Sequence, residues 1–394
     1  MTPQARVQAA IELLDEVIES ARTGGAAADT LIARYFKTRR YAGSKDRRAV
    51  REHVYAAIRR AGEIPESGRS AMVGLARVDS DLAALFDGSP HGPALLHNDD
   101  EAASAGVAPE WLVQKLAETV PTEDMPALLE RAPLDLRVNR LKGNRANLLD
   151  AFPGARPTPH APDGLRLREA IQVESSPAWI DGLVEVQDEG SQLAALATGA
   201  AAGMTVVDLC AGAGGKTLAL AAMMGDRGHL VACDTDRGRL SRLGPRATRA
   251  GATAIDTRLL DPGREADQLQ DLLDLADVVL IDAPCSGTGT WRRNPETRWR
   301  ISQKRLQQLG ALQSRLLDVG AALVRPGGTL VYVVCSLLAE EGREQIANYL
   351  AANDAWTAEA VDLVAGRESG DGWMLSPARD GTDGFFIARL KRSC

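Results

Sequence analysis

Two cysteines stand where a thiol could act as a nucleophile. Cys285 follows the apolar run 278–281, and Cys335 follows a second apolar run at 329–334. Both runs have the composition typical of a buried strand, so each thiol is predicted at the carboxyl end of a strand. Asp282 precedes Cys285 by three residues. A thiol beside a carboxylate suits covalent catalysis, in which the sulfur attacks an electrophilic carbon.

These two runs belong to an alternation of strands and helices that begins near residue 187. The predicted strands are 205–209, 230–234, 254–260, 278–281 and 329–334, and the predicted helices are 217–224, 237–250 and 304–324. This alternation indicates an α/β fold with a doubly wound, mostly parallel sheet, and an antiparallel edge hairpin is predicted at 385–390. Such sheets bind ligands at the carboxyl ends of their strands. Because the fourth and fifth strands should be neighbours, we expect the two sulfurs to face one crevice.

A glycine-rich loop after the first predicted strand indicates the type of ligand. The loop consists of Cys210, Ala211, Gly212, Ala213, Gly214, Gly215 and Lys216. A P-loop would need glycine at position 210, and a dinucleotide site would need a third glycine at position 217, where threonine stands. S-adenosylmethionine suits a short glycine loop followed by an acid at the end of the second strand, and Asp234 is placed to bind its ribose. Another type of nucleotide-binding fold stays the alternative on spacing alone.

Thiols near a methyl donor favour methylation of carbon 5 of a pyrimidine. Carbon 5 is a poor nucleophile, but a thiolate that adds to carbon 6 turns the ring into an enamine that can attack a methyl group. A base then removes the proton from carbon 5, and the thiolate leaves. An amino-group methyltransferase needs no thiol, and its usual Asn/Asp-Pro-Pro-aromatic sequence is replaced here by Asp282-Ala283-Pro284-Cys285.

The composition limits the class of protein. The chain has 394 residues, of which 45% are hydrophobic, enough for two or three domains. No apolar stretch approaches the roughly 20 residues that cross a bilayer, and no signal peptide is evident. We therefore expect a cytoplasmic protein without a membrane partner. Five cysteines without a C-x-x-C pair, and five histidines without ligand spacing, predict no metal site and no disulfide scaffold.

The distribution of charge leaves room for a nucleic acid partner. The net charge of −7 disfavours it, but residues 34–60 hold ten Lys or Arg and only two acids. A local basic region can bind a phosphate backbone even in an acidic protein. This region lies in a predicted helical bundle over 1–61, and a solvated helical face is the alternative for that segment taken by itself.

Two motifs together resemble a known family. The sequence Asp-Ala-Pro-Cys-Ser-Gly-Thr-Gly at 282–289, with Val334-Cys335-Ser336, is similar to the RNA 5-methylcytosine methyltransferases of the RsmB/Sun/Nop family. The resemblance covers at least residues 134–390. Further matching motifs are Arg137-Val138-Asn139, Gln187-Asp188-Glu189-Gly190-Ser191-Gln192, the 210–217 loop, Arg292-Arg293-Asn294-Pro295-Glu296 and Asp383-Gly384-Phe385-Phe386.

The resemblance implies a class I S-adenosylmethionine-dependent methyltransferase with S-adenosyl-L-methionine as its cofactor. It implies RNA as the partner, and ribosomal RNA of the small subunit as the substrate. Cys335 would be the nucleophile on carbon 6, Cys285 would assist product release, and Asp282 would contact the cytosine and the cofactor. The implied cofactor pocket consists of Cys210, Ala211, Gly212, Ala213, Gly214, Gly215, Lys216, Asp234, Asp261 and Asp282, with Asp261 near the adenine.

Four positions, in three places along the chain, depart from the family's pattern. The family's loop is usually Cys-Ala-Ala-Pro-Gly-Gly-Lys, whereas Gly212-Ala213-Gly214 stands in its middle here. The residue before the nucleophile is usually Thr and is Val334 here, and Asp380 stands where many members have His. None of these changes removes a reacting group.

Three domains are predicted, in a chain that we expect to be a monomer. Residues 1–106 resemble a NusB-like RNA-binding extension with a loose linker, residues 107–186 form a small α+β RNA-binding module, and residues 187–394 form the methyltransferase domain. The fold of 62–106 is left open between a linker and a helical continuation. A group of planar side chains could stack on a flipped base or hold phosphates, or else form a surface turn whose tryptophans pack on the following helix. These are Trp291, Arg292, Arg293, Arg298 and Trp299.

Other functions remain open at the level of sequence. The same reaction could act on transfer RNA, or on DNA with Cys285 as the nucleophile. The DNA enzymes resemble this chain in the Pro-Cys element only, so Cys335 argues against DNA. A non-catalytic ribosome-assembly factor could bind RNA through residues 34–60. Methyl transfer from labelled cofactor separates these possibilities, because a pure binder gives none.

Overall fold

The chain forms two compact units in the computed structural model, which describes residues 1–168 and 171–394. Unit 1 contains Met1–Arg131 and Thr290–Gln303, and unit 2 contains Ala132–Gly289 and Lys304–Cys394. The chain therefore enters unit 1 twice. Its second entry follows directly after the loop that carries Cys285.

Unit 1 is helical. Its α-helices are α1 (Pro3–Thr23), α2 (Ala28–Thr38), α3 (Ser44–Arg60), α4 (Gly68–Ala76), α5 (Ser80–Ala83) and α6 (Glu110–Leu116), with 3₁₀ segments at Thr122–Leu129 and Pro295–Arg300. Thr2 caps α1, because its side chain accepts the N–H of Ala5. Gly43 caps α3, and its N–H donates to the Asp46 carboxylate. The segment left open at 62–106 contains α4 and α5.

The second segment of unit 1 caps two of its helices. The Arg298 guanidinium donates to the carbonyl of Ala61 at 2.8 Å, and Trp299 Nε1 donates to the same oxygen at 3.2 Å, just past the end of α3. The Glu296 carboxylate accepts the N–H of Ala28, the first residue of α2, at 3.0 Å. A cation near a helix carboxyl end and an acid near an amino end both satisfy groups that the helix leaves unpaired. The segment therefore completes the helical unit.

This arrangement corrects the hypothesis that these side chains face RNA. Trp291 and Arg298 are 0% exposed, and Arg292 and Trp299 are 7% exposed. Burial lowers the pKa of Arg298 to about 9. The predicted stacking on a flipped base is wrong for these four residues, and they do not form a surface turn either.

Unit 2 contains a small antiparallel module. Its elements are β1 (Leu134–Val138), α7 (Arg145–Leu148), β2 (Arg156–Pro157), β3 (Gly164–Leu167), α8 (Pro177–Ile180) and β4 (Val184–Val186). The strand order is β2-β3-β1-β4. Leu136 and Val138 of β1 fill the module's core. Asn139 joins the module to the rest of unit 2, because its amide donates to the carbonyl of Ala250 at 2.7 Å.

The rest of unit 2 is built around one large sheet. Its elements are α9 (Glu189–Leu196), β5 (Thr205–Asp208), α10 (Gly215–Met223), β6 (His229–Asp234), α11 (Arg237–Leu240), α12 (Leu243–Ala250), β7 (Ile255–Leu259), α13 (Glu265–Gln268), β8 (Ala276–Asp282), α14 (Gln303–Leu323), β9 (Val324–Val334), α15 (Arg343–Ala352), β10 (Trp356–Glu359), β11 (Arg367–Ser369), β12 (Gly372–Leu375), α16 (Pro377–Asp380) and β13 (Phe385–Arg392). The order is β11-β12-β13-β9-β8-β5-β6-β7, and β10 pairs with β13.

The pairing confirms the predicted doubly wound sheet. Strands β7, β6, β5, β8 and β9 are parallel, and the later strands add to β9 in antiparallel fashion. Strand β13 lies inside the sheet, between β9 and β12. Both faces of β8 are covered, because Val278 and Leu280 join one apolar cluster while Val279 and Ile281 join the other. This explains why β8 reads as a continuous apolar run.

We expect Arg298→Met to destabilise unit 1 by about 3 kcal/mol, because the buried carbonyls that it bonds lose their donor. Urea unfolding followed by circular dichroism measures the change. Arg48→Met, which removes an exposed cation from α3, is the matched control and should change stability by less than about 0.5 kcal/mol. Equal unfolding midpoints for the two variants would contradict the capping role of Arg298.

Candidate active site

The two predicted thiols lie together at the carboxyl edge of the sheet. Asp282, the last residue of β8, is paired in register with Val333 of β9. Cys285 and Cys335 therefore leave neighbouring strands at the same edge, and their sulfur atoms are 3.4 Å apart. Both thiols are partly exposed. A substrate atom could thus reach either sulfur from one crevice.

The immediate surroundings keep Cys285 protonated. Its hydrogen bond with Cys335 and its burial raise the pKa of the Cys285 thiol well above the ordinary value, and the charge of Glu341 adds to this effect. A protonated Cys285 has a hydrogen that it can donate, and the sulfur of Cys335 lies within hydrogen-bond distance of it.

Hydroxyl groups join the two cysteine-bearing loops to each other. The Ser336 hydroxyl lies 3.2 Å from the Ser286 hydroxyl and 3.1 Å from the Thr288 hydroxyl. The N–H of Leu337 donates to the Thr288 hydroxyl at 2.8 Å, and the N–H of Gly289 donates to the carbonyl of Cys335 at 3.0 Å. Each loop therefore restricts the movement of the other.

Asp282 and Lys216 form an ion pair beside the thiols. Lys216 Nζ lies 2.7 Å from Asp282 Oδ2, and the lysine side chain is 8% exposed while that of Asp282 is 31% exposed. Burial by itself lowers the pKa of Lys216, but the charge and hydrogen bond of Asp282 and the nearby Cys335 outweigh it and raise that pKa. Lys216 is therefore a fixed cation beside a partly exposed carboxylate.

The glycine loop adopts a conformation that needs its glycines. Gly212 and Gly214 have φ angles of 55° and 85°, in the left-handed region that side chains disfavour. A Cβ at Gly214 would stand 2.2 Å from a methyl carbon of Leu243. The carbonyl of Ala213 accepts a hydrogen bond from Arg246 at 2.5 Å. The loop thus keeps a defined shape without the proline usual at this position.

Asp234 and Asp261 follow the two strands beside this loop. Asp234 Oδ2 accepts the N–H of Gly212 at 2.6 Å, and its Oδ1 accepts the N–H of Asp236 at 2.7 Å. A carboxylate has about four acceptor positions, so Asp234 can still accept ribose hydroxyls. Asp261 comes after β7 and is exposed, and its carboxylate accepts a hydrogen bond from Gln268 at 3.2 Å. Both acids stand at the edge where the sequence predicts the cofactor.

Asp208, the last residue of β5, is a site residue that sequence reasoning missed. Its Oδ2 accepts the Thr217 hydroxyl at 2.6 Å, whereas its Oδ1 is buried and has no hydrogen-bond partner among the described residues. Burial raises the pKa of Asp208 to about 7, and the charge of Asp282 contributes to the rise. A buried acceptor without a partner fits a bound molecule that carries an N–H donor, and S-adenosylmethionine has an amino group. Its position at the end of a predicted strand was the feature of the sequence that could have identified it.

Two arginines beside the loop were missed as well. Arg246 joins the loop to the small module, since it also donates to Glu185 at 2.9 Å. Arg239 lies against the loop, because a Cβ at Gly212 would stand 2.5 Å from its guanidinium. Arginines at this spacing are common on the solvent-exposed faces of helices. The sequence therefore did not indicate that either of them lies beside the loop.

The remaining predictions about partners concern metals and membranes. Among the described residues, no group of three or more His, Cys, Asp or Glu side chains could hold a metal ion. None of the described helices has both the length and the apolarity that a membrane crossing requires. Burial raises the pKa of the Cys210 thiol well above its ordinary value.

Two family descriptions match the chain. Residues 196–391 match "16S rRNA methyltransferase RsmB/F", and residues 108–174 match the "ferredoxin-like domain" of the same group. The probable ribosomal RNA small subunit methyltransferase B of Synechocystis is 35% identical over 315 residues, which are 75% of this chain and 70% of the relative. The ribosomal RNA small subunit methyltransferase B of Salmonella paratyphi B is 36% identical over 289 residues, which are 72% of this chain and 66% of the relative.

Solved structures agree with the fold. PH0851 superposes over 100% of this chain and 99% of its own with a TM-score of 0.79 at 22% identity. A methyltransferase homologue from Pyrococcus horikoshii covers 72% of this chain and 94% of its own, with a TM-score of 0.63 and 25% identity. NSun6 from Pyrococcus horikoshii, solved with the S-adenosylmethionine analogue SFG, covers 73% of this chain and 98% of its own, with a TM-score of 0.64 and 18% identity.

We expect Asp208→Asn to change the pH dependence of stability. The pKa of Asp208 is raised to about 7 in the folded chain, so the folded state binds its proton more tightly than the unfolded state. The free energy of unfolding therefore falls as the pH rises from the ordinary pKa of an aspartate towards 7. Asparagine does not ionise, so its contribution does not change with pH. The free energy of unfolding of the variant, relative to that of the wild type, should therefore be about 2 kcal/mol higher at about pH 8 than at about pH 5.5.

Urea unfolding of the wild type and the variant at both pH values measures this gain. Asp362→Asn, which replaces an exposed carboxyl in the same unit, controls for the loss of one charge. If the free energies of unfolding of Asp208→Asn and the wild type differ by the same amount at both pH values, the raised pKa of Asp208 is contradicted.

Proposed function

We infer the reaction from one premise: this chain belongs to the family of 16S rRNA methyltransferases RsmB/F. It is an S-adenosylmethionine-dependent methyltransferase that acts on ribosomal RNA. We propose that it methylates carbon 5 of a cytosine in the small-subunit RNA through a covalent bond between Cys335 and the base. The observation that supports this most is the pair of sulfur atoms 3.4 Å apart at the ends of two neighbouring strands.

The proposed chemistry begins at Cys335. Its thiolate adds to carbon 6 of cytosine, and the electrons of the 5,6 double bond make carbon 5 nucleophilic. S-adenosylmethionine, when bound, supplies an electrophilic methyl group. Carbon 5 would bond to that methyl carbon as the bond between the methyl carbon and the sulfonium sulfur breaks, which leaves S-adenosylhomocysteine. A base would then take the proton from carbon 5. The bond between sulfur and carbon 6 breaks as the double bond returns, so Cys335 leaves as a thiolate.

Cys285 is suited to the last of these steps. Its raised pKa keeps the hydrogen on its sulfur. The 3.4 Å contact puts the sulfur of Cys335 within hydrogen-bond distance of that thiol. A hydrogen bond to a departing thiolate stabilises the charge that develops on it. Cys285 would therefore assist release of the methylated product, as the resemblance implies.

The other site residues would hold the two substrates. The backbone of the 210–216 loop, together with Asp234 and Asp261, would bind S-adenosylmethionine, and Asp208 would accept a hydrogen bond from its amino group. Asp282, fixed by Lys216 at 2.7 Å, would contact the cytosine and the cofactor. This division is supported by the strand ends at which each acid stands.

Wider properties follow from the same proposal. We expect the helical segment 1–106 and the small module at 107–186 to bind RNA, in front of a methyltransferase domain at 187–394. Arg34, Lys37, Arg40, Lys45 and Arg48 are exposed in unit 1 and offer contacts to phosphate. A monomer suffices, because both thiols, the ion pair and the loop come from one chain. Ribosomal RNA as the substrate would place the enzyme in the cytoplasm.

We expect Cys335→Ala to lower methyl transfer to ribosomal RNA on the order of 1,000-fold or more, because the attacking group is gone. Transfer of a labelled methyl group measures the rate, and bisulfite sequencing of the product RNA locates the cytosine. Calorimetry should show unchanged binding of S-adenosylmethionine. Cys394→Ala, which removes an exposed thiol, should behave as the wild type. Full turnover by Cys335→Ala would refute its assignment as the nucleophile.

We expect Cys285→Ala to accumulate a covalent adduct between protein and RNA, because the bond to Cys335 forms and then breaks slowly. Denaturing gels with labelled RNA and S-adenosylmethionine detect the adduct. The double variant Cys285→Ala/Cys335→Ala should give no adduct. Normal turnover without an adduct would remove the release role from Cys285.

A further inference from the structure

A buried carboxylate lies behind the loop that carries Cys285. Glu341 is 0% exposed and belongs to the short 3₁₀ segment Ala339–Glu341, which follows Cys335 in the chain. No ion pair to it is found among the residues that the structure describes. Removing a carboxylate from water without a cation costs several kcal/mol, so its hydrogen bonds must stabilise it.

Those hydrogen bonds come from the residue that follows Cys285. The Glu341 carboxylate accepts the N–H of Ser286 at 2.9 Å and 3.2 Å with its two oxygens, and it also accepts the Ser286 hydroxyl. The Tyr332 hydroxyl holds the backbone of Glu341, because it donates to the Glu341 carbonyl at 2.8 Å. Glu341 is thus fixed to β9 and in turn fixes Ser286.

Gln313 extends the same contact to the residue before Cys285. Its side-chain amide donates to the carbonyl of Pro284 at 2.9 Å and to Glu341 at 3.1 Å. Gln313 lies on α14 and is fully buried. Both chain neighbours of Cys285 are therefore held by two buried polar side chains, Glu341 and Gln313. The thiol itself is left to contact Cys335.

We propose that Glu341 is a positioning residue for product release, because through Ser286 and Gln313 it holds the thiol of Cys285 against the sulfur of Cys335. The inference rests on the function proposed above. Glu341 contacts neither sulfur, so it acts through the Cys285 loop. When the loop loses this anchor, Cys335 still attacks the base, but the covalent intermediate breaks down slowly.

The decisive variant is Glu341→Gln. It keeps the shape of the side chain but leaves one acceptor oxygen for the two Ser286 donors, and it removes the charge. We expect a steady-state rate about 10- to 100-fold lower, with accumulation of the protein–RNA adduct, as in Cys285→Ala. Methyl transfer in a single turnover should stay within about 3-fold of the wild type, and binding of S-adenosylmethionine should not change. A merely structural role would lower all three quantities together.

Two further variants complete the test. Glu344→Gln replaces an exposed acid three residues along the chain and should give wild-type rates with no adduct. Gln313→Met removes the donor to Pro284 and should reproduce the adduct, which keeps the inference testable where Glu341→Gln fails to fold. Melting curves of all variants establish which of them are folded.

The outcomes separate the inference from the function on which it rests. Adduct in Cys285→Ala and in Glu341→Gln, with normal single-turnover transfer, supports the positioning role. Adduct in Cys285→Ala but none in folded Glu341→Gln or Gln313→Met overturns the inference and leaves the proposed function standing. No adduct even in Cys285→Ala removes the release step itself, and the inference falls with it.

Discussion

The parallel pairing of β8 with β9 is the constraint on which the site depends. Because Asp282 pairs with Val333, the two strands end together and their following loops emerge side by side. A shift of one residue in this register would exchange the apolar side chains that β8 buries on its two faces, so the size and shape of those side chains must specify it. The 3.4 Å contact between the sulfurs is a consequence of that register. Neither cysteine could supply it by itself.

Charged groups stand at the carboxyl edge of this apolar framework. Lys216 and Asp282 neutralise each other, Asp208 has its pKa raised by burial, and Glu341 is held by neutral donors. Each group is costly to bury, and each stands close to a residue that has a role in the proposed function. The sheet holds the loops in fixed positions, and the polar groups at its edge orient the side chains of those loops. The apolar strands thus stabilise the fold, and the strand ends carry the groups proposed for the chemistry.

The sequence predicted the parts of the site that depend on local pattern. The apolar runs of β8 and β9 and the glycine loop are visible in a few consecutive residues, so their positions and their shared edge followed. Arg298 and Trp299 were misassigned because their partners near Ala61 lie more than 200 residues away in the chain. Glu341 was missed for a similar reason, since only the folded chain brings it to Ser286. Local composition cannot distinguish a buried acid from a solvated one.

The return of Thr290–Gln303 into the helical unit has a consequence for biosynthesis. A ribosome delivers the chain from its amino end, and domains generally fold as they emerge. Here the ends of α2 and α3 gain Glu296 and Arg298 as partners only after the strands up to β8 have been synthesised. The helical unit therefore acquires these caps late in translation, although its helices are made first.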